Sequence, residues 1–139
     1  MPMIEWARKR LDGTVEYAQD GTIKCVERSF CSWLNHLCVD NYSTLDGRIK
    51  AIKSRYGYRR LTPIFVGCSI LLMPMRGLRA NDAIVINSYA ITGFERSGPK
   101  GITVYFSYAK PLVLPSWHIF RSQCEKAKLI DEQFRKMNG

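Results

Sequence analysis

Four stretches, residues 63–66, 69–73, 83–89 and 102–107, are short runs rich in β-branched and aromatic side chains. Such side chains suit a pleated, half-buried surface better than a helix. Thr103, Tyr105 and Ser107 alternate with Val104, Phe106 and Tyr108, as in a strand with one wet face. Gly-Pro-Lys-Gly at 98–101 marks a turn between 91–96 and 102–107. The second half of the chain is therefore expected to be antiparallel sheet. Past Pro115, Ser116 is placed to cap a final helix with Trp117, Phe120, Cys124 and Ala127 on one face. Arg121, Glu125, Lys128 and Glu132 fall largely off that face.

Nearer the start, residues 14–17 and 22–27 flank Ala18-Gln19-Asp20-Gly21, whose Asp-Gly pair signals a turn, and together read as a short hairpin. Ser29 then N-caps a helix whose stripe of Phe30, Trp33, Leu34, Leu37 and Cys38 reads as core. Residues 41–60 are ambiguous. Leu45, Ile49 and Ile52 have helical spacing, but Gly47 and Gly57 are poor helix formers, so a short helix and an irregular basic loop both stand. The expected fold is α+β: one domain over residues 1–139 with an N-terminal hairpin, one or two helices, an antiparallel sheet and a C-terminal helix. A length of 139 residues and a hydrophobic fraction of 46% suffice for a real core.

Charge is the strongest functional signal. The net charge is +9, and residues 47–81 carry Arg48, Lys50, Lys53, Arg55, Arg59, Arg60, Arg76 and Arg79 with no acid among them. Such a surface attracts a polyanion, because each neutralised phosphate releases a condensed counterion. Guanidinium groups also donate to phosphate and enter a narrow minor groove. Tyr56 and Tyr58, set among the arginines, are placed to stack on bases or pack along sugars. These ten residues form the expected nucleic-acid site, with Gly47 and Gly57 as joints that let backbone approach the ligand. The plainer alternative is a solvated basic face with two partly buried tyrosines.

Other chemistries find less support. Cys25, Cys31, Cys38, Cys68 and Cys124 are odd in number and lack paired spacing, so they read as small buried hydrophobes in a reducing cytosol. Cys25, Cys31, His36 and Cys38 are zinc-ligand types without a Cys-x-x-Cys pair. Cys31 with His36, or Cys124 with His118, lacks the helical spacing of a thiolate–imidazole pair. The acids are scattered; Asp82 and Glu95 would have to meet across strands to hold a cation. No Gly-rich phosphate loop is present. No catalytic residue, metal or cofactor is expected. The longest apolar run, 63–75, is too short for a membrane span, and residues 1–6 do not resemble a signal peptide, so a cytoplasmic location is expected.

Cys38, Leu45-Asp46-Gly47-Arg48, Lys53, Gly57 and Pro63-Ile64 stand in an order and register that resembles the competence transcription factor family, ComK. Met73-Pro74 is similar to the Phe-Pro that ends a strand in that family. Phe106-Ser107-Tyr108 and the helix with Phe120-Arg121-Ser122-Gln123 resemble its closing segments. The likeness runs from about Thr22 to Ile130 and departs from the family pattern at 76–80 and 83–85. It implies a sequence-specific activator of competence genes that reads A/T-rich double-stranded DNA through the minor groove. It also implies a nucleoid-associated homo-oligomer that a proteolytic adaptor protein controls. Two further readings remain: an RNA-binding module using Tyr56 and Tyr58, and a basic protein-interaction subunit that docks on an acidic partner.

Overall fold

Two antiparallel meanders, joined edge to edge, build the main sheet. The computed structural model describes residues 3–138. The first meander is β1 (Ile4–Lys9), β2 (Val15–Gln19) and β3 (Thr22–Val26); the second is β4 (Ile64–Gly67), β5 (Ile70–Pro74) and β6 (Ile84–Asn87). They meet where β1 pairs with β6 through Trp6 opposite Ile86, Ala7 opposite Val85 and Arg8 opposite Ile84. The order is β3-β2-β1-β6-β5-β4. Helices α1 (Phe30–Val39) and α2 (Leu45–Tyr56) connect the two meanders. Strands β7 (Ile91–Ser97), β8 (Gly101–Phe106) and β9 (Leu112–Leu114) form a second sheet, and α3 (Trp117–Asn138) closes the described chain.

The α+β expectation holds, with the hairpin and the C-terminal helix in place. The expected antiparallel sheet is two sheets, because the run at 83–89 breaks. β6 stops at Asn87, and a single 3-10 turn, Ser88–Ala90, redirects the chain into β7. Asn87 holds this corner from full burial. Its Oδ1 accepts from Leu71 N (3.1 Å) and Tyr89 N (3.2 Å), while its Nδ2 donates to Ile4 O (2.7 Å) and Ser69 O (2.9 Å). One amide thus satisfies backbone groups from three segments that would otherwise be orphaned at the corner.

Strands β1 and β9 were not expected from the sequence. In β1, Ile4 faces Gln19 but Trp6 faces Ala18, so Glu5 is the extra residue of a bulge. Its carboxylate, almost fully buried, accepts from Gly21 N and Ala109 N, both at 2.9 Å. Glu5 therefore ties the β2–β3 turn to the segment after β8. That turn places Asp20 at φ 49° and Gly21 at φ 82°, the two left-handed residues that a two-residue hairpin needs. A Cβ on Gly21 would lie 2.6 Å from the Tyr108 carbonyl oxygen, so no other residue fits there.

Both faces of the six-stranded sheet are covered. Ile4, Ala7, Val15, Ile64, Leu72 and Val85 pack with Phe30, Trp33, Leu34 and Cys38 of α1. Trp6, Leu71, Met73 and Ile86 pack with Phe120, Ala127 and Ile130 of α3 and with Ile102, Val104 and Phe106 of the second sheet. Each fully buried Leu, Ile or Phe contributes about 1.5–3 kcal/mol. Covering both faces is stabilising, and it leaves only the edge strand β3 of this sheet open to solvent. A functional surface has to come from helix faces and loops.

Candidate nucleic-acid interface

The basic run lies on such a surface. Residues 45–56 are a helix, which resolves the ambiguity of that segment. Thr44 caps it by accepting from Gly47 N at 2.9 Å, and Gly57 closes it at φ 72° with its amide donating to Lys53 O. Gly47 sits in the first turn and Gly57 is the left-handed cap that such a terminus favours. This corrects the expectation that the two glycines are joints for backbone approach; one serves the start of the helix and the other its stop. Ile52 is buried and Leu45 and Ile49 half-buried, so α2 docks by one stripe and leaves Lys50, Lys53 and Arg55 exposed. Lys53 and Arg55 also lie in the last turn, where the helix carbonyl ends favour cations.

Two further basic segments converge on α2. A pocket of about 150 Å³ is lined by Ile49 and Lys53 of the helix, by Arg59, Leu61 and Thr62 of the following loop, by Pro74 at the end of β5, and by Arg76, Gly77 and Leu78 beyond it. No acid lines it. Arg59, Arg60, Arg76 and Arg79 are exposed. Residues far apart in the run are thus neighbours in space. Acids from outside the run balance two of its cations: Lys50 Nζ lies 3.0 Å from Asp46 and Arg76 Nε 3.3 Å from Asp82, both pairs well exposed. Exposed pairs of this kind contribute little and are readily exchanged for another anion. Among the described residues Arg55 meets only a neutral partner, Gln133 Oε1, at 3.0 Å.

Three expected contact residues are partly turned inward. Arg48 is half-buried; its Nη2 donates to Asn41 O at 3.3 Å and its guanidinium carbon lies 5.9 Å from the Phe65 ring centroid. Its Nε is buried without a partner among the described residues. Tyr56 and Tyr58 stack on each other, with centroids 5.5 Å apart and planes 9° from parallel. Both are half-buried against the core, and burial pushes the Tyr58 hydroxyl above its usual pKa. Lys126 of α3 stands 5.1 Å from the Tyr58 centroid and donates to Arg60 O at 2.9 Å. The turn from α2 into the loop is therefore braced by aromatic stacking and by a lysine that burial makes more acidic than usual.

Thr62 and Lys126 were not singled out by the sequence. Thr62 is 6% exposed, and its Oγ1 is buried without a partner among the described residues. A buried unpaired hydroxyl costs about 1–3 kcal/mol. A larger groove of about 870 Å³ runs between the β1–β2 connection, the segment before β6 and the start of α3, and Arg76 lines it as well. It brings in Arg8 and Arg10 but also Asp12, Glu16 and Asp82, so its sign is mixed.

The other expected clusters are dispersed. Cys38 is buried as expected, but Cys31 and Cys124 are only half-buried, and Cys25 and Cys68 are exposed. Cys25 lies on the edge strand β3, which stands largely clear of α1, and Cys68 occupies the β4–β5 turn. Asp82 and Glu95 do not meet: Asp82 pairs with Arg76, while Glu95, in the other sheet, accepts from the Tyr105 hydroxyl. Among the described residues, no three His, Cys, Asp or Glu side chains gather as metal ligands, and no helix is long and apolar enough to cross a membrane.

The model of the ComK protein family matches residues 9–138, nearly the whole chain. The chain belongs to the ComK family. That family consists of competence transcription factors rather than enzymes, so the basic surface of this ComK-family chain belongs to a regulator. No curated protein and no solved structure matches the chain significantly.

Proposed function

We propose that this ComK-family chain is a sequence-specific DNA-binding regulator that holds duplex DNA against α2 and the loops at 57–62 and 74–79. The convergence of basic side chains from three segments around one pocket that no acid lines carries the reading. Lys50, Lys53, Arg55, Arg59, Arg60, Arg76 and Arg79 supply the contacts. Arginines dominate this set, as suits an A/T-rich minor groove, which is narrow and strongly negative. Arg48 is a positioning residue that fastens α2 to the Asn41 turn and Phe65. Tyr56 and Tyr58 shape the loop through their mutual stack, which favours a duplex over single-stranded RNA read by base stacking. Family membership extends the proposal to a nucleoid-associated homo-oligomer controlled by a proteolytic adaptor.

In-vitro selection of duplexes from a random pool with the purified chain tests this directly. Enrichment of A/T-rich boxes, competed by a minor-groove ligand, is expected. Selection of no duplex at moderate salt, with retention of single-stranded RNA or of an acidic protein instead, would refute it.

A further inference from the structure

Within the basic surface, the small pocket between α2 and the two loops differs from the cations around it. Lys53 and Arg59 have no ion-pair or hydrogen-bond partner for their side chains among the described residues, and Arg76 is held only by the exposed Asp82. Side chains from three separate segments therefore present positive charge to one concavity. Thr62 also lines the pocket; its Oγ1 is buried without a partner among the described residues and reaches the cavity only by turning about χ1. The volume, about 150 Å³, is several times the roughly 30 Å³ share of one water molecule. Ile49, Leu61, Pro74 and Leu78 make the rest of the wall apolar, which strengthens any charge interaction formed against it.

We infer that this pocket is a seat for one tetrahedral phosphate group, bound by Lys53, Arg59 and Arg76 and by the Thr62 hydroxyl. A phosphate offers oxygens in several directions, which suits donors arriving from different segments. A carboxylate offers two oxygens in one plane and suits a single guanidinium fork. The inference deepens the DNA-binding proposal, and rests on it only for the source of the phosphate. The backbone of a bound duplex would seat one phosphate here and fix the register of the strand, while neighbouring arginines face the groove. A free phosphate or a small phosphorylated molecule has the same chemistry.

The test uses the full chain with inorganic phosphate, followed by amide chemical shifts, and a labelled A/T-rich duplex, followed by fluorescence anisotropy. Saturable shifts centred on Thr62 and Gly77 are expected, absent in a Lys53→Gln/Arg59→Gln variant and weakened several-fold in Thr62→Val, which keeps the side-chain shape. Release of the phosphate by duplex, with a salt slope shallower by up to about 1.8 in the double variant, would assign the seat to DNA. Saturable phosphate binding that duplex does not displace would keep the seat and assign it to a free phosphate, against the placement of DNA on this surface. Tight duplex binding with no phosphate shifts, and with the slope unchanged in the double variant, would overturn the seat and leave DNA binding intact. Shifts spread evenly over all exposed lysines and arginines would also overturn it, as non-specific ion binding.

Discussion

Removing Arg55, Arg60 and Arg79 together puts the proposed DNA surface to its most quantitative test. All three are exposed, none is ion-paired among the described residues, and none lines the small pocket. Arg55→Gln/Arg60→Gln/Arg79→Gln deletes three charges and little buried surface, so the fold should survive. Only the Arg55 contact to Gln133 is lost with them. If each arginine neutralises one phosphate of B-form DNA, each contributes about 0.9 to the slope of log affinity against log salt. The variant's slope should then be shallower by about 2.7. Between 50 and 200 mM salt, wild-type affinity should fall about 40-fold further than that of the variant, by the same relation. Fluorescence anisotropy on a selected duplex over that salt range reads both quantities, and circular dichroism confirms folding. A folded variant with the wild-type slope would remove α2 and its loops from the DNA interface, whatever the family does elsewhere.

Arg48→Ala should behave in the opposite way: a loss of about 1–2 kcal/mol in denaturant unfolding, from one hydrogen bond and a ring contact, with the salt slope unchanged. Asn87→Ala should cost about 2–5 kcal/mol, because Leu71 N and Tyr89 N lose their acceptor in a dry corner; thermal unfolding checks it. Gly57→Ala should cost about 1 kcal/mol, since φ 72° penalises a Cβ even though nothing stands in its way. Among the thiols, Cys25 and Cys68 should react at once with a disulfide reagent at pH 8, and Cys38 and Cys124 only slowly; equal rates would contradict the burial pattern. Burial pushes the Cys124 thiol up to about 11 from 9.0. The folded state therefore holds that proton more tightly than the unfolded one, and the associated stability is present below pH 9 and lost as pH rises towards 11. The Tm difference between the wild type and Cys124→Ala should shift against the wild type across that window.

Local signals were legible where one segment decides its own conformation. The Asp20-Gly21 turn, the Ser29 and Ser116 caps, and the core stripes of α1 and α3 depend on neighbours in the chain, and all stand as read. The basic run was equally visible, because composition alone sets its charge. The α2 segment was ambiguous because helix propensity penalises glycine anywhere inside a helix, whereas Gly47 lies in the first turn and Gly57 is the cap. Strand β1 escaped notice because its partners are β2 and the distant β6, and its buried acid disguises the pattern.

The amino-acid sequence by itself determined an α+β chain with a strongly basic, acid-free central stretch and a register that matches one family. Tertiary structure alone decided which of those charges are neighbours. Pairing of β4 with β5 and packing of α2 against β4 bring the end of α2, the loop with Thr62 and the loop after Pro74 to one pocket, while Arg48 and the two tyrosines are drawn inward. Charge is a property of residues and can be counted along a chain. The concavity that gathers Lys53, Arg59 and Arg76 is lined by residues up to 29 positions apart, from Ile49 to Leu78, and no local pattern encodes it.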